Sequence, residues 1–179
     1  MVSRRLQNIE ESATIKMTGL ANELKSKGHD VISFSLGEPD FDTPTNISDA
    51  AVESLRRGDT HYSPAPGIPE LRSAIAEKLQ TENNLEIESK HVLVTPGAKQ
   101  AVFEATLGVL DEGDEAILFD PAWVSYDPCI KIAGGKTVFA PLDPENDFNP
   151  RDVAKYVTSK TKLIVVNSPS NPTGGIFSK

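Results

Sequence analysis

Long apolar runs are missing from this chain of 179 residues. A membrane-crossing helix takes about 20 consecutive apolar residues, and no segment offers them. Cysteine is nearly absent too. Cys129 alone excludes an intramolecular disulfide framework and a cysteine-rich metal site. With no leader-like apolar stretch behind Met1, the lone thiol points to a reducing, cytoplasmic setting. Positive charge is in deficit, with 18 Lys and Arg against 26 Asp and Glu and a net charge of −8. That balance argues against a nucleic-acid footprint or an anionic membrane surface. His29, His61 and His91 show no metal-ligand spacing. Dinucleotide, P-loop and nucleophile-elbow signatures are all missing.

What is present is the ordinary material of a globular α/β domain, 38% apolar and 25% charged. Ile15, Leu20 and Leu24 recur at helical spacing across 11–27, and Gly28 supplies a stop. Residues 31–36 read as a short strand and 37–44 as a loop. A helix from Thr45 or Asn46 carries Ile47, Ala51 and Leu55 and closes at Gly58. Pro69 suits a first helical turn, with Leu71, Ile75 and Leu79 behind it.

From residue 91 a regular alternation begins. Strands are expected at 91–95, 115–119, 136–140 and 162–166. Helices are expected at 98–110, around 123–132 and near 150–157. Strands separated by helices of this length imply right-handed crossovers and a mainly parallel sheet. Residues 1–44 lack that rhythm and read as an arm and part of a smaller domain, leaving 45–179 to a larger one.

Three strand-to-helix turns are candidates for chemistry, because open α/β sheets take ligands at the carboxyl ends of their strands. Thr95-Pro96-Gly97-Ala98-Lys99-Gln100 opens a helix whose first amides have no intrahelical partner, a setting for a phosphate. Taken by itself it reads sooner as an ordinary βα turn with a solvated lysine. Asp120-Pro121-Ala122-Trp123 places the only tryptophan where it can stack on a flat ring or simply fill core. Asn167 to Gly175 follows the β-branched run 162–166. Asn171 there is a positioned amide donor, or part of a proline-rich exit loop. Gly37, in Leu36-Gly37-Glu38-Pro39, allows backbone to approach a carboxylate or forms a plain turn. Tyr62, in a proline-fixed loop, reaches for a phosphate or is a surface aromatic.

Taken together and in order, several motifs resemble the class I, pyridoxal-phosphate-dependent aminotransferases of the aspartate aminotransferase type. They are Ser3-Arg4-Arg5, Gly37-Glu38-Pro39-Asp40-Phe41, His61-Tyr62, Gly67-Ile68-Pro69-Glu70-Leu71-Arg72, Gly97-Ala98-Lys99-Gln100, Pro121-Ala122-Trp123-Val124-Ser125-Tyr126 and Asn171-Pro172-Thr173-Gly174. The resemblance runs through nearly the whole chain. It implies the three-layer α/β architecture of fold type I and pyridoxal 5′-phosphate as cofactor. It also implies amino-acid and 2-oxo-acid substrates, and a homodimer with shared active sites.

By resemblance, Gly97, Ala98 and Lys99 line the cofactor phosphate and Trp123 stacks on the pyridine ring and borders the substrate. Asn171 donates to the ring oxygen, lowering the pKa of the imine formed there, and also faces substrate. Gly37 meets the substrate α-carboxylate, and Tyr62 reaches the phosphate in the neighbouring subunit. Asn171-Pro172 is expected to be cis.

No catalytic residue of this family falls within the chain. The resemblance sets the Schiff-base lysine, the aspartate facing the pyridine nitrogen and the carboxylate-clamping arginine beyond Lys179, itself read as a surface residue at a cut end. The chain is then the N-terminal half of its parent, inactive alone, and expected to aggregate or fold poorly because sheet edges and apolar faces are left open. Relatives that accept prephenate tend to carry lysine near position 10. Glu10 would repel a dicarboxylate, which disfavours prephenate here. Two other readings remain open. One is another fold-type-I enzyme, such as a carbon–sulfur lyase. The other is a non-catalytic truncated relative that acts by binding.

The half-chain reading predicts that the protein isolated from its source has an intact mass well above the 19.3 kDa of these residues. A species at 19.3 kDa would leave only the binding reading.

Overall fold

A computed structural model describes residues 3–7, 9, 12–143, 149–150 and 152–177. The helices are α1 (Arg4–Gln7), α2 (Ala13–Ser26), α3 (Thr45–Arg56), α4 (Pro69–Asn83), α5 (Ala98–Val109) and α6 (Tyr126–Ile132). The strands are β1 (Glu115–Asp120), β2 (Lys136–Asp143), β3 (Asn149–Pro150) and β4 (Thr161–Val165). The chain divides into two compact units. One comprises residues 1–31 with 97–179, the other residues 32–96.

The first unit is built on one sheet, in the order β3-β2-β1-β4. β1 pairs in parallel with β2 on one side and β4 on the other, while β3 adds antiparallel to the end of β2. As the central strand, β1 is buried on both faces, which is why residues 116–119 read as an unbroken apolar run. Side chains alternate across it. Ala116 and Leu118 join Leu110 and Ile130 in one cluster, and Ile117 and Phe119 join Ala140 and Leu142 in the other. Ile117, Leu118 and Ile130 are fully buried, each worth about 1.5–3 kcal/mol of transfer energy.

The second unit holds α3 and α4. Pro69 opens α4, as its fixed φ and missing N–H favour, and Asn84 closes it in the left-handed conformation with φ 55°. From α4, the Arg72 guanidinium donates to the carbonyls of Val92 (3.0 Å) and Ser89 (2.7 Å). Val94 N–H donates to Pro66 carbonyl at 3.0 Å.

Three local expectations change. Residues 91–95 are not a ladder strand, because their backbone is bonded to Pro66 and to Arg72 rather than to a neighbouring strand. His91 instead ends a 3₁₀ turn over Ser89–His91. Residues 31–36 also form no strand. They carry no ladder, Ile32 and Phe34 are 81% and 95% exposed, and Ser33 and Ser35 hydroxyls bond each other at 2.9 Å. Near 150–157 the expected helix shrinks to a 3₁₀ turn, Val153–Tyr156. Pro150 is held in β3, and Asp152 turns left-handed at φ 50°.

Among the described residues no helix is long and apolar enough to cross a membrane, and no cluster of His, Cys, Asp and Glu could hold a metal.

Two predictions follow from this packing. Gly67 has φ +105°, and a Cβ there would lie 2.8 Å from Val94 Cγ2. Gly67→Ala should therefore cost about 1–3 kcal/mol in denaturant unfolding. Cys129 is buried, and burial pushes its thiol up, against a smaller opposing pull from the Lys99 ammonium. It should resist iodoacetamide in the folded protein. The folded thiol keeps its proton to higher pH than the unfolded one. The stability linked to it is thus full at neutral pH and falls as pH climbs past about 8.5. Cys129→Ala should flatten that alkaline slope in denaturant midpoints.

Candidate functional site

The parallel strands β1 and β4 end at the same edge of the sheet, and the chain turns sharply after each. β1 leads through Asp120-Pro121 to Trp123 and α6. β4 leads through Asn167 to the loop holding Asn171. α5 runs back into the start of β1, so its N-terminus comes to that same edge. The position of Lys99 there is explicit, since its Nζ lies over the Trp123 ring, 5.6 Å from the centroid.

At the mouth of α5, Gly97 takes φ +85° and precedes the first helical residue, Ala98. Glycine suits this backbone and adds no side chain at the helix mouth. A Cβ built on Gly97 would meet nothing within 4 Å, and the first turn carries no acidic residue. Gly97, Ala98 and Lys99 are all exposed. An anion approaching this end meets the positive end of the helix dipole and an ammonium.

Trp123 is half-buried and meets Tyr126 edge-to-face, with ring centroids 5.2 Å apart and planes at 86°. Tyr126 in turn lines a recess with Pro121, Ala122, Asn167, Ser170 and Asn171. Two amides and a hydroxyl share this small recess with the apolar Leu118, Phe119, Val165 and Phe177.

Asn171 stands exposed in a loop that ties itself off. Ser170 N–H donates to Gly175 carbonyl (2.8 Å), Gly174 N–H to Ser170 carbonyl (2.7 Å), and Gly175 N–H to Thr173 Oγ1 (3.1 Å). Phe177 N–H donates to Ser168 Oγ at 3.0 Å, and the Phe177 ring meets Phe119 of β1 edge-to-face at 5.5 Å. Asn171-Pro172 is cis, as expected, and so are Asp120-Pro121 and Ser168-Pro169.

The structure thus gathers Gly97, Ala98, Lys99, Trp123 and Asn171 in one unit. Gly37 and Tyr62 belong to the other. Gly37 is exposed, with open space where a Cβ would stand, and Tyr62 is fully exposed. Glu10 and Lys179 lie outside the described residues. Sequence reasoning passed over Tyr126, Asn167, Ser168 and Ser170. Tyr126 follows Trp123 by three residues at a helix start, and Asn167 is the second residue past β4; both spacings were available signals.

Residues 29–179 match the family described as aminotransferase class I and II. The chain is 47% identical to the probable aspartate/prephenate aminotransferase of Aquifex aeolicus (strain VF5), over 98% of this chain and 45% of that protein. It is 44% identical to the aspartate aminotransferase of Bacillus subtilis (strain 168), over 99% of this chain and 46% of that protein. The solved aspartate aminotransferase from Thermus thermophilus with maleate superposes with a TM-score of 0.97 at 44% identity, over 100% of this chain and 47% of that one. The chain spans about half the length of the curated relatives it matches. On sequence and on fold alike, the chain belongs to the class I and II aminotransferases, of the aspartate aminotransferase type.

Proposed function

We propose that this chain is the cofactor-gripping half of an aminotransferase that moves an amino group between L-aspartate, or a related amino acid, and a 2-oxo acid. The proposed cofactor is pyridoxal 5′-phosphate. The observation that carries the reading is the chain of contacts at one sheet edge, Lys99 over Trp123, Trp123 against Tyr126, and Tyr126 around one recess with Asn171. The open cradle at Gly97, with no carboxylate in the first helical turn, fits a phosphate dianion. Tyr126, the edge-to-face neighbour of the half-buried indole, shares a recess with the amides of Asn167 and Asn171, polar groups that suit a planar ring with a polar oxygen.

Pyridoxal phosphate, when bound, supplies the electron sink that lets a proton leave the α-carbon of an amino acid. This chain's residues do the holding. Gly97, Ala98 and Lys99 line the phosphate at the N-terminus of α5, where the helix dipole and the Lys99 ammonium attract it. Trp123 covers the ring and keeps water from it. Asn171 donates its amide N–H to the ring oxygen, favouring the ionised form of that oxygen. Gly37 lets backbone approach the substrate α-carboxylate, and Tyr62 serves the phosphate in the neighbouring subunit of a homodimer. The lysine that moves the proton belongs to sequence beyond residue 179, so these residues alone do not turn over substrate. Residues 1–44 then belong to an arm and small domain, and 45–179 to the large one. A cytoplasmic setting accords with the single thiol.

Three outcomes test this in the protein isolated from its source or expressed at full length. The purified protein should carry bound cofactor, seen in its visible absorbance, and transfer the amino group of L-aspartate to a 2-oxo acid. Trp123→Leu should weaken cofactor binding about 2- to 10-fold, the worth of one stacked ring, and Lys99→Gln about tenfold. Unchanged affinity in both variants overturns the site assignment. The resemblance, in which prephenate-accepting relatives tend to carry lysine near position 10, predicts that Glu10→Lys should raise kcat/KM for prephenate several-fold while leaving aspartate nearly unchanged.

A further inference from the structure

Trp123 sits between the end of β1 and the start of α6, in a turn that no ladder holds. A side chain in such a place keeps one orientation only if its neighbours impose it. Two do so. Lys99 stands over the indole face, and Tyr126 meets the indole edge-to-face at 5.2 Å and 86°.

These neighbours differ in how firmly they are themselves held. Lys99 is exposed, on a long flexible stem. Tyr126 is tied at both ends of the contact. Its N–H donates to the Trp123 carbonyl at 3.1 Å. Its ring packs on the buried cluster of Leu110, Ala116, Leu118 and Ile130, beneath one face of the sheet. The same side chain therefore touches the buried core, the indole and the recess. An edge-to-face pair is directional, since the positive ring edge seeks the negative ring face. Through it the core can fix the angle of the indole, which its own backbone leaves open.

We infer that Tyr126 is a positioning residue that sets the plane of Trp123 for stacking on the cofactor ring, and that it acts through its ring and not its hydroxyl. The inference rests on the reading of Trp123 as the stacking platform. It extends that reading to a residue that touches the recess without being assigned to the cofactor.

The test uses the whole protein labelled with 5-fluorotryptophan. The ¹⁹F line of Trp123 is identified by its loss in Trp123→Phe. Tyr126→Phe keeps the ring and should leave that line in place, with pyridoxal phosphate affinity within about twofold. Tyr126→Leu keeps apolar contact with the core but loses the ring. It should shift or broaden the line even without cofactor, and weaken cofactor binding by as much as Trp123→Leu does. The double variant should be no weaker than the worse single one.

An unmoved line in a folded Tyr126→Leu protein overturns the inference. So does a line displaced by Lys99→Gln but not by Tyr126→Leu. Tyr126→Phe decides the matter if the leucine variant does not fold. A displaced line there overturns the role of the ring, and an unmoved one with intact affinity supports it. The stacking reading fails separately, if Trp123→Leu keeps full cofactor affinity. The ¹⁹F result would then still report whether Tyr126 orients the indole.

Discussion

The double burial of β1 is the constraint on which the sheet-bearing unit depends. A central strand flanked by parallel neighbours must present apolar side chains to both faces. Ala116 and Leu118 do so on the side of α5 and α6, and Ile117 and Phe119 on the side of Ala140 and Leu142. Parallel pairing to β2 and β4 fixes the strand directions. That in turn brings the ends of β1 and β4 to one edge, with the N-terminus of α5 beside them. The candidate site is a consequence of this geometry, because side chains as far apart in sequence as Lys99 and Trp123, or Tyr126 and Asn171, are brought together there.

Electrostatics is handled locally. The chain is acidic overall, with a net charge of −8, yet the first turn of α5 holds no acid and carries Lys99. In the proposed function, anion attraction would come from the helix N-terminus and one ammonium, acting over a few ångströms where screening is weak. The recess near Trp123 depends instead on shape. The loop around Asn171 is closed by its own backbone and by Ser168, and the Phe177 ring joins it to Phe119 on the sheet.

The legible parts of the fold were those set by local pattern. The run 116–119, the helical stripes of α3, α4 and α5, the Pro69 start and the Asn167–Gly175 turn all emerged from spacing and turn chemistry. Residues 31–36 and 91–95 have equally β-like composition but form no ladder. A strand exists only when another segment satisfies its backbone, and for 92–94 that need is met by Arg72 and Pro66. The segment 150–157 misled in the opposite way. Its helical composition gave way to the pairing of Asn149–Pro150 with Leu142 and Asp143.

Residue identities alone determined the family, the α/β rhythm and the candidates Gly97, Lys99, Trp123 and Asn171, because each belongs to a turn whose chemistry is written in adjacent residues. Only the tertiary structure decided that Lys99 lies over Trp123, that Tyr126 meets the indole edge-to-face, and that Ser168 and Phe177 close the Asn171 loop. These contacts depend on strand direction, on the packing of α6 against the sheet and on rotamer choice. None of them has a periodicity that a linear reading can detect.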